Sequence, residues 1–292
     1  MVPLLASLLM SQVRVTLEDL GDRVRISNQT VTLTVLKSNA TIPDIRFMGS
    51  PNLAGRGAYF AIANSVGKDG GDIKDAKFTI ASRSPNHIDL SIKAKTGGCD
   101  FDIHYVLDGF KPGFYVYVKM ARPKGYEKET FGQVRWSCYL NNKLFDYQLA
   151  TDSEQAVIPD MTGGIQVQDA TYRLKDGSVY TKYNFADYAE NHFVHGMTGK
   201  EGGYGAYVVM GSNEYLGGPN KQYLTIHSGP IIHRFLHSGH FLPRGIAHPE
   251  LPEGWSKLTG PWFIYFNKTG SVAESWKDAK ACAEKEKAEW PY

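Results

Sequence analysis

The sequence predicts an all-β chain: a large antiparallel β-sandwich closed by one C-terminal amphipathic helix. Three observations predict it. Apolar and polar residues alternate with period two in run after run. Clusters of Gly, Pro, Asn and Asp separate those runs. A helical period appears once, at the end of the chain.

The elements read off in order. VTLTV at 31–35 alternates strictly, and HIDLSIKA at 87–94, FDIHYVL at 101–107 and FYVYVKM at 114–120 follow the same rule. FGQVRWSCYL at 131–140 reads as a strand, and YGAYVVM at 204–210 and WFIYF at 262–266 complete the set. Successive strand side chains point to opposite faces, so such runs are half-buried strands. SPN at 84–86, KTGG at 95–98, DGFKPG at 108–113, KDG at 175–177 and LPEG at 251–254 are the turns between strands. Helices and strands do not alternate, which argues against a doubly wound parallel sheet. From Ser271 to Trp290, Val272, Trp276, Ala279 and Ala283 form one helical stripe, and Lys285 can pair with Glu289 one turn on. Pro291 stops that helix.

Composition narrows the function. The chain has 292 residues, enough for one large β domain, and 42% hydrophobic with 21% charged residues is ordinary for a soluble globular protein. A net charge of +2 lacks the basic excess of a nucleic-acid binder. With 17 Tyr, 14 Phe and 30 Gly, the chain reads as strands on tight turns with aromatic surface left for a ligand. No apolar run approaches the roughly 20 residues of a membrane span. Cys99, Cys138 and Cys282 are too few for a disulfide scaffold; one disulfide with one free thiol, or three buried thiols, both fit. Residues 1–12 carry a signal-like apolar run without a basic n-region, and a buried first strand fits as well. Three sequons, at Asn28, Asn39 and Asn267, lean with that start towards a secreted glycoprotein. Residues 13–292 read as a single domain.

The densest chemistry is LTIHSGPIIHRFLHSGHF at 224–241, which holds His227, His233, His237 and His240. On a helix the last three could hold zinc, but Gly229-Pro230, the β-branched Ile231-Ile232 and Ser238-Gly239 disfavour one. On a strand His233 and His237 share one face and His240 leaves it, and no acid or cysteine lies in the stretch. No metal site is expected. The paired glycines form no phosphate loop, and no GxSxG is present. Asp152 and Glu154 could serve a glycosidase, but their spacing matches solvated loop acids equally well. Lys182 in SVYTKYNF, Arg135 in FGQVRWSCYL and Lys221 in GGPNKQYLT form a different set. A lone lysine among aromatics is usually a snorkelling surface residue. Yet these are the parts of a β-elimination beside a carboxylate: a cation neutralises the carboxylate, a lysine takes the α-proton and a histidine protonates the leaving oxygen. The residues permit this reading without selecting it.

A resemblance selects it. FGQVR (131–135), TKY (181–183), NHFVHG (191–196), SNEYLGGPNKQYLTIHSGP (212–230), LHSGHF (236–241), GWSKLTGPWFIYFN (254–267) and WPY (290–292) stand in the order and spelling of motifs of the rhamnogalacturonan lyases of polysaccharide lyase family four, whose catalytic domain this chain resembles in its plant and bacterial type. The likeness is close over roughly 130–292 and looser before, as in GRGAYF at 55–60. It implies an antiparallel β super-sandwich like that of galactose mutarotases. It implies β-elimination of the α-1,4 bond between rhamnose and galacturonate in the pectin backbone, leaving an unsaturated uronate. Carried over by position, Lys182 is the general base, His240 the general acid, and Arg135 the residue that neutralises the uronate. Tyr183, His195, Lys221, His233 and Phe235 would line the substrate site. Two departures stand out. Fungal members have tyrosines where this chain has His233 and Phe235, and family members continue past WPY into two smaller β domains. The expectation is a secreted monomer acting on pectic polysaccharide, with no nucleic acid, membrane or required cofactor, calcium being possible but not indicated. A non-catalytic carbohydrate-binding sandwich and a mutarotase-like isomerase, which would need an acidic base in place of Lys182, are the alternatives.

Overall fold

A computed structural model of the chain describes residues 15–64, 71–182, 193–211, 224–227, 229–239 and 248–289. Its strands form four antiparallel sheets. The largest has nine strands, in spatial order Gln155–Val157 (β13), Tyr147–Leu149 (β12), Val194–Thr198 (β17), Gly203–Met210 (β18), Ser256–Thr269 (β21), Gly113–Ala121 (β10), Cys99–Asp108 (β9), His87–Thr96 (β8) and Lys77–Ser84 (β7). A five-stranded sheet holds Leu224–Ile226 (β19), Pro230–Ser238 (β20), Phe131–Leu140 (β11), Ala54–Asn64 (β5) and Gly71–Asp72 (β6). Thr16–Asp19 (β1), Arg23–Ser27 (β2), Val31–Leu36 (β3) and Asp44–Phe47 (β4) pair in sequence, as do Ile165–Gln168 (β14), Thr171–Arg173 (β15) and Val179–Thr181 (β16).

The predicted alternation builds the main core. Ile88, Leu90, Ile103, Tyr105, Phe114, Val116 and Ile264 of the nine-stranded sheet meet Val24, Leu33, Phe60, Val134, Trp136, Ile232 and Leu236 from the four- and five-stranded sheets. A second cluster lies on the far side of the nine-stranded sheet, where the helix Val272–Glu289 (α1) packs. Tyr207 and Val209 of β18 and Phe263 and Tyr265 of β21 face this helix, while Ala206, Val208 and Ile264 face the sandwich. β18 is therefore buried on both faces along Gly205–Met210, not half-buried as its alternation suggests. Tyr207 of YGAYVVM fills the helix side, while Tyr204 packs against the sandwich core.

The helix matches its stripe: Trp276, Ala279 and Ala283 are buried, joined by Ser275 and Glu286. Ser271 caps it by accepting from the Glu274 amide (3.2 Å), and Glu274 reaches back to the Gly270 amide (3.1 Å). Lys111 and Tyr115 satisfy the buried Glu286 (2.7 and 2.6 Å). Lys285 and Glu289 approach to 3.9 Å, the predicted pair. Pro291 lies outside the described residues.

All three cysteines are free thiols, which decides between the two readings of them. Burial pushes the Cys99 thiol up to about 12. Two of the three sequons are structural. Asn28 is buried, and its amide donates to Asp108 O (2.6 Å) and Lys111 O (2.8 Å). Asn267 is buried, donating to Ser275 O (3.0 Å) and Asp278 (2.9 Å). A glycan on either would break the core, so these triplets do not support glycosylation. Asn39 is half-buried, and its side chain accepts from the Thr41 amide (3.0 Å).

Candidate active site

Strand β11 carries the site on its outward face. Val134, Trp136 and Cys138 point into the core, so Arg135, Ser137 and Tyr139 point out. Register places Phe235 opposite Arg135 and His233 opposite Ser137 on one side, with Ala61 and Tyr59 on the other. The Arg135 guanidinium stands 5.9 Å from the Phe235 ring centroid and donates to the Gln133 side chain. Its Nε is buried and has no hydrogen-bond partner among the described residues. A planar cation held against a ring is pre-oriented for a carboxylate.

His233 is buried, and its Nδ1 lies 2.8 Å from Ser137 Oγ. His195 is fully buried, and its Nε2 lies 2.7 Å from the His233 carbonyl oxygen. A carbonyl only accepts, so Nε2 carries the proton there. His195 thus ties β17 of the large sheet to β20 of the smaller one. That placement suits a residue that positions His233. The neighbouring Gly196 has a physical reason as well. A Cβ there would lie inside van der Waals contact of Ala206 O and the Tyr207 ring, and 2.8 Å from Tyr207 Cα.

The expectation that His233 and His237 share a face fails. The register shifts between Val134 and Arg135, so His233 pairs with outward Ser137 while His237 pairs with inward Val134. A β-bulge inserts one residue and turns the strand over. All nine residues of β20 are buried. Among the described residues no group of three or more His, Cys, Asp or Glu could hold a metal ion. His227 points elsewhere, its Nε2 3.0 Å from Asp169 Oδ1.

Asp169 is the residue that sequence reasoning missed. Its other carboxylate oxygen accepts from Lys182 Nζ. Lys182 is 6% exposed, whereas the Asp169 side chain is 64% exposed. The hairpin explains the meeting: Thr171 pairs with Thr181, and the Lys182 amide donates to Ala170 O (3.0 Å). The hydrogen bond from Lys182 holds the Asp169 carboxyl below its ordinary value, against an opposing effect of burial. Only the turn between two short strands marked Asp169 in the sequence. Tyr180, the other expected neighbour of Lys182, instead turns its phenol towards Gln148, Thr225 and the Ile226 backbone, and burial raises its pKa. Thr225 pairs with Ile231, on the outward side of β19, so the three-stranded sheet meets the five-stranded sheet there. Tyr183, Lys221 and His240 lie outside the described residues.

Comparison with known proteins completes the picture. The profile of the rhamnogalacturonate lyase family matches residues 5–173, and that of the probable rhamnogalacturonate lyase B middle domain matches residues 144–221. The likeness therefore includes the first 130 residues, where motifs are loose. A rhamnogalacturonate lyase of Dickeya dadantii is 32% identical over 221 residues, covering 74% of this chain and 37% of the relative. Rhamnogalacturonate lyase B of Emericella nidulans is 28% identical over 199 residues, covering 60% of this chain and 29% of the relative. The chain spans well under half the length of these relatives. In fold it is similar to a galactose mutarotase-like protein from Lactobacillus casei, with a TM-score of 0.56, 10% identity, and 84% of this chain and 100% of that one covered.

Proposed function

The chain belongs to the rhamnogalacturonate lyase family, and from that premise we propose that it cleaves the rhamnose–galacturonate bond of the pectin backbone by β-elimination. Lys182 removes the proton at C5 of the galacturonate. The electron pair forms the C4–C5 double bond, the C4–O bond breaks, and His240 protonates the departing oxygen. Arg135 pairs with the uronate carboxylate, which makes the C5 proton easier to remove. Tyr183 and Lys221 contact the saccharide beside these residues, and His233 and Phe235 shape the floor under it. The observation that supports this reading is the Lys182–Asp169–His227 cluster: a buried lysine is held by a carboxylate that His227 also meets. A hydrolase would instead want a pair of carboxylates flanking the bond. No metal is needed in this scheme, because Arg135 supplies the neutralising charge. A polymeric wall substrate places the reaction outside the cell.

One experiment tests the reading. Incubate the protein with rhamnogalacturonan and follow the ultraviolet absorbance of an unsaturated uronate. A lyase generates it. A binding module, an isomerase or a hydrolase does not, and a flat trace with a demonstrably folded protein rejects the proposal.

A further inference from the structure

Beside this site lies a cleft of about 500 Å³ lined by Asn39, Thr41, Arg56, Tyr59, Lys74 and Asp75, among others. Its volume is that of a small-molecule site. Three observations give it a chemistry. The guanidinium carbon of Arg56 sits 3.8 Å from the centroid of the Tyr139 ring. Tyr59 and Tyr139 are stacked, their planes 15° apart and their centroids 6.2 Å apart. Two cations, Arg56 and Lys74, face one acid, Asp75. Tyr139 shares the outward face of β11 with Arg135, four residues or roughly 13 Å along the strand. That is further than one sugar ring spans. The two regions are also joined by contacts. Arg56 Nη2 donates to His227 O (3.2 Å), and His227 meets the Asp169 that holds Lys182.

Aromatic faces receive the apolar face of a sugar, and amide and hydroxyl groups such as those of Asn39 and Thr41 receive its hydroxyls. A guanidinium that lies over a ring offers its remaining N–H donors, in a planar fork, to a carboxylate. We propose that this cleft is a second saccharide subsite, which holds a galacturonate unit of the same polymer roughly 13 Å along the strand from Arg135. The identity of the polymer rests on the lyase reading; the anionic-sugar chemistry rests on the cleft.

The test is calorimetric titration with rhamnogalacturonan oligosaccharides and with the same oligosaccharides after reduction of their carboxyl groups. The native protein should prefer the acidic form. Arg56→Gln should weaken binding of the acidic form roughly tenfold, the loss of one hydrogen bond to a charged group, and leave the reduced form within about twofold. Arg56→Lys should fall between, since lysine keeps the charge but not the planar fork. Should Arg56→Gln fail to unfold cooperatively, Lys74→Gln, at an exposed position, serves in its place with the same expected preference. If the native protein binds both forms equally, or the glutamine variants bind the acidic form like the native protein, the subsite is refuted whatever the turnover. If the variants lose the acidic form but no unsaturated uronate is ever released, the subsite stands and the lyase reading falls.

Discussion

Replacing Lys182 separates its chemical role from its structural one. Lys182→Ala removes three buried methylenes beyond Cβ, at about 0.8 kcal/mol each, or roughly 2.4 kcal/mol as an upper figure. The ion pair adds little, because the Asp169 side chain left behind is 64% exposed and stays solvated, so about 1 kcal/mol is the ceiling. A loss of roughly 2–3 kcal/mol leaves a domain of ordinary stability folded. Removing a positioned base costs about 10²–10⁴ in rate, equivalent to roughly 3–5 kcal/mol of barrier. The alanine variant should therefore still unfold cooperatively and bind oligosaccharide, yet release unsaturated uronate at least a hundredfold more slowly. Lys182→Arg is the sharper probe. Arginine keeps the charge and the bond to Asp169 but does not give up its proton. It should be nearly as slow as alanine while losing less stability. The assay is initial rate by ultraviolet absorbance, with urea unfolding and calorimetric binding measured on the same samples. An arginine variant within about tenfold of the native rate would refute the reasoning: Lys182 would then only bind the uronate.

Two further outcomes concern the frame. Gly196→Ala should lower the urea midpoint by the equivalent of about 1–3 kcal/mol, because the new methyl has no room between Ala206 O and the Tyr207 ring; an unchanged midpoint contradicts the packing. On the outer face of the large sheet, burial raises the Asp102 carboxyl, but the His104 ring, its Nε2 3.1 Å away, and the hydrogen bond from Ser91 outweigh it and hold it at about 2, below the ordinary 3.8. A carboxyl lowered on folding contributes stability above its unfolded pKa and loses it as pH falls through the folded one. Urea midpoints of the native protein should accordingly drop between about pH 4 and pH 2, and Asp102→Asn should show a shallower drop; parallel curves would show that the network carries no such linkage.

Much of this protein was determined by local sequence. Period-two alternation is a property of the extended backbone, so VTLTV, HIDLSIKA and FYVYVKM announced β3, β8 and β10 without reference to their neighbours. The stripe of Trp276, Ala279 and Ala283 announced α1 and its buried face for the same reason. Motif spelling pointed to Lys182 and Arg135 as the chemical residues. Tertiary structure decided what those residues touch. Asp169 reaches Lys182 only through the register of the β15–β16 hairpin, and Arg56 reaches Tyr139 only because β5 pairs with β11. The face of His237 follows from a single bulge, and the fate of the Asn28 and Asn267 triplets from burial that no triplet encodes. Alternation within a strand is fixed by neighbouring residues, whereas register, bulges and burial are fixed by partners far along the chain, and a site assembled across strands depends on the second kind.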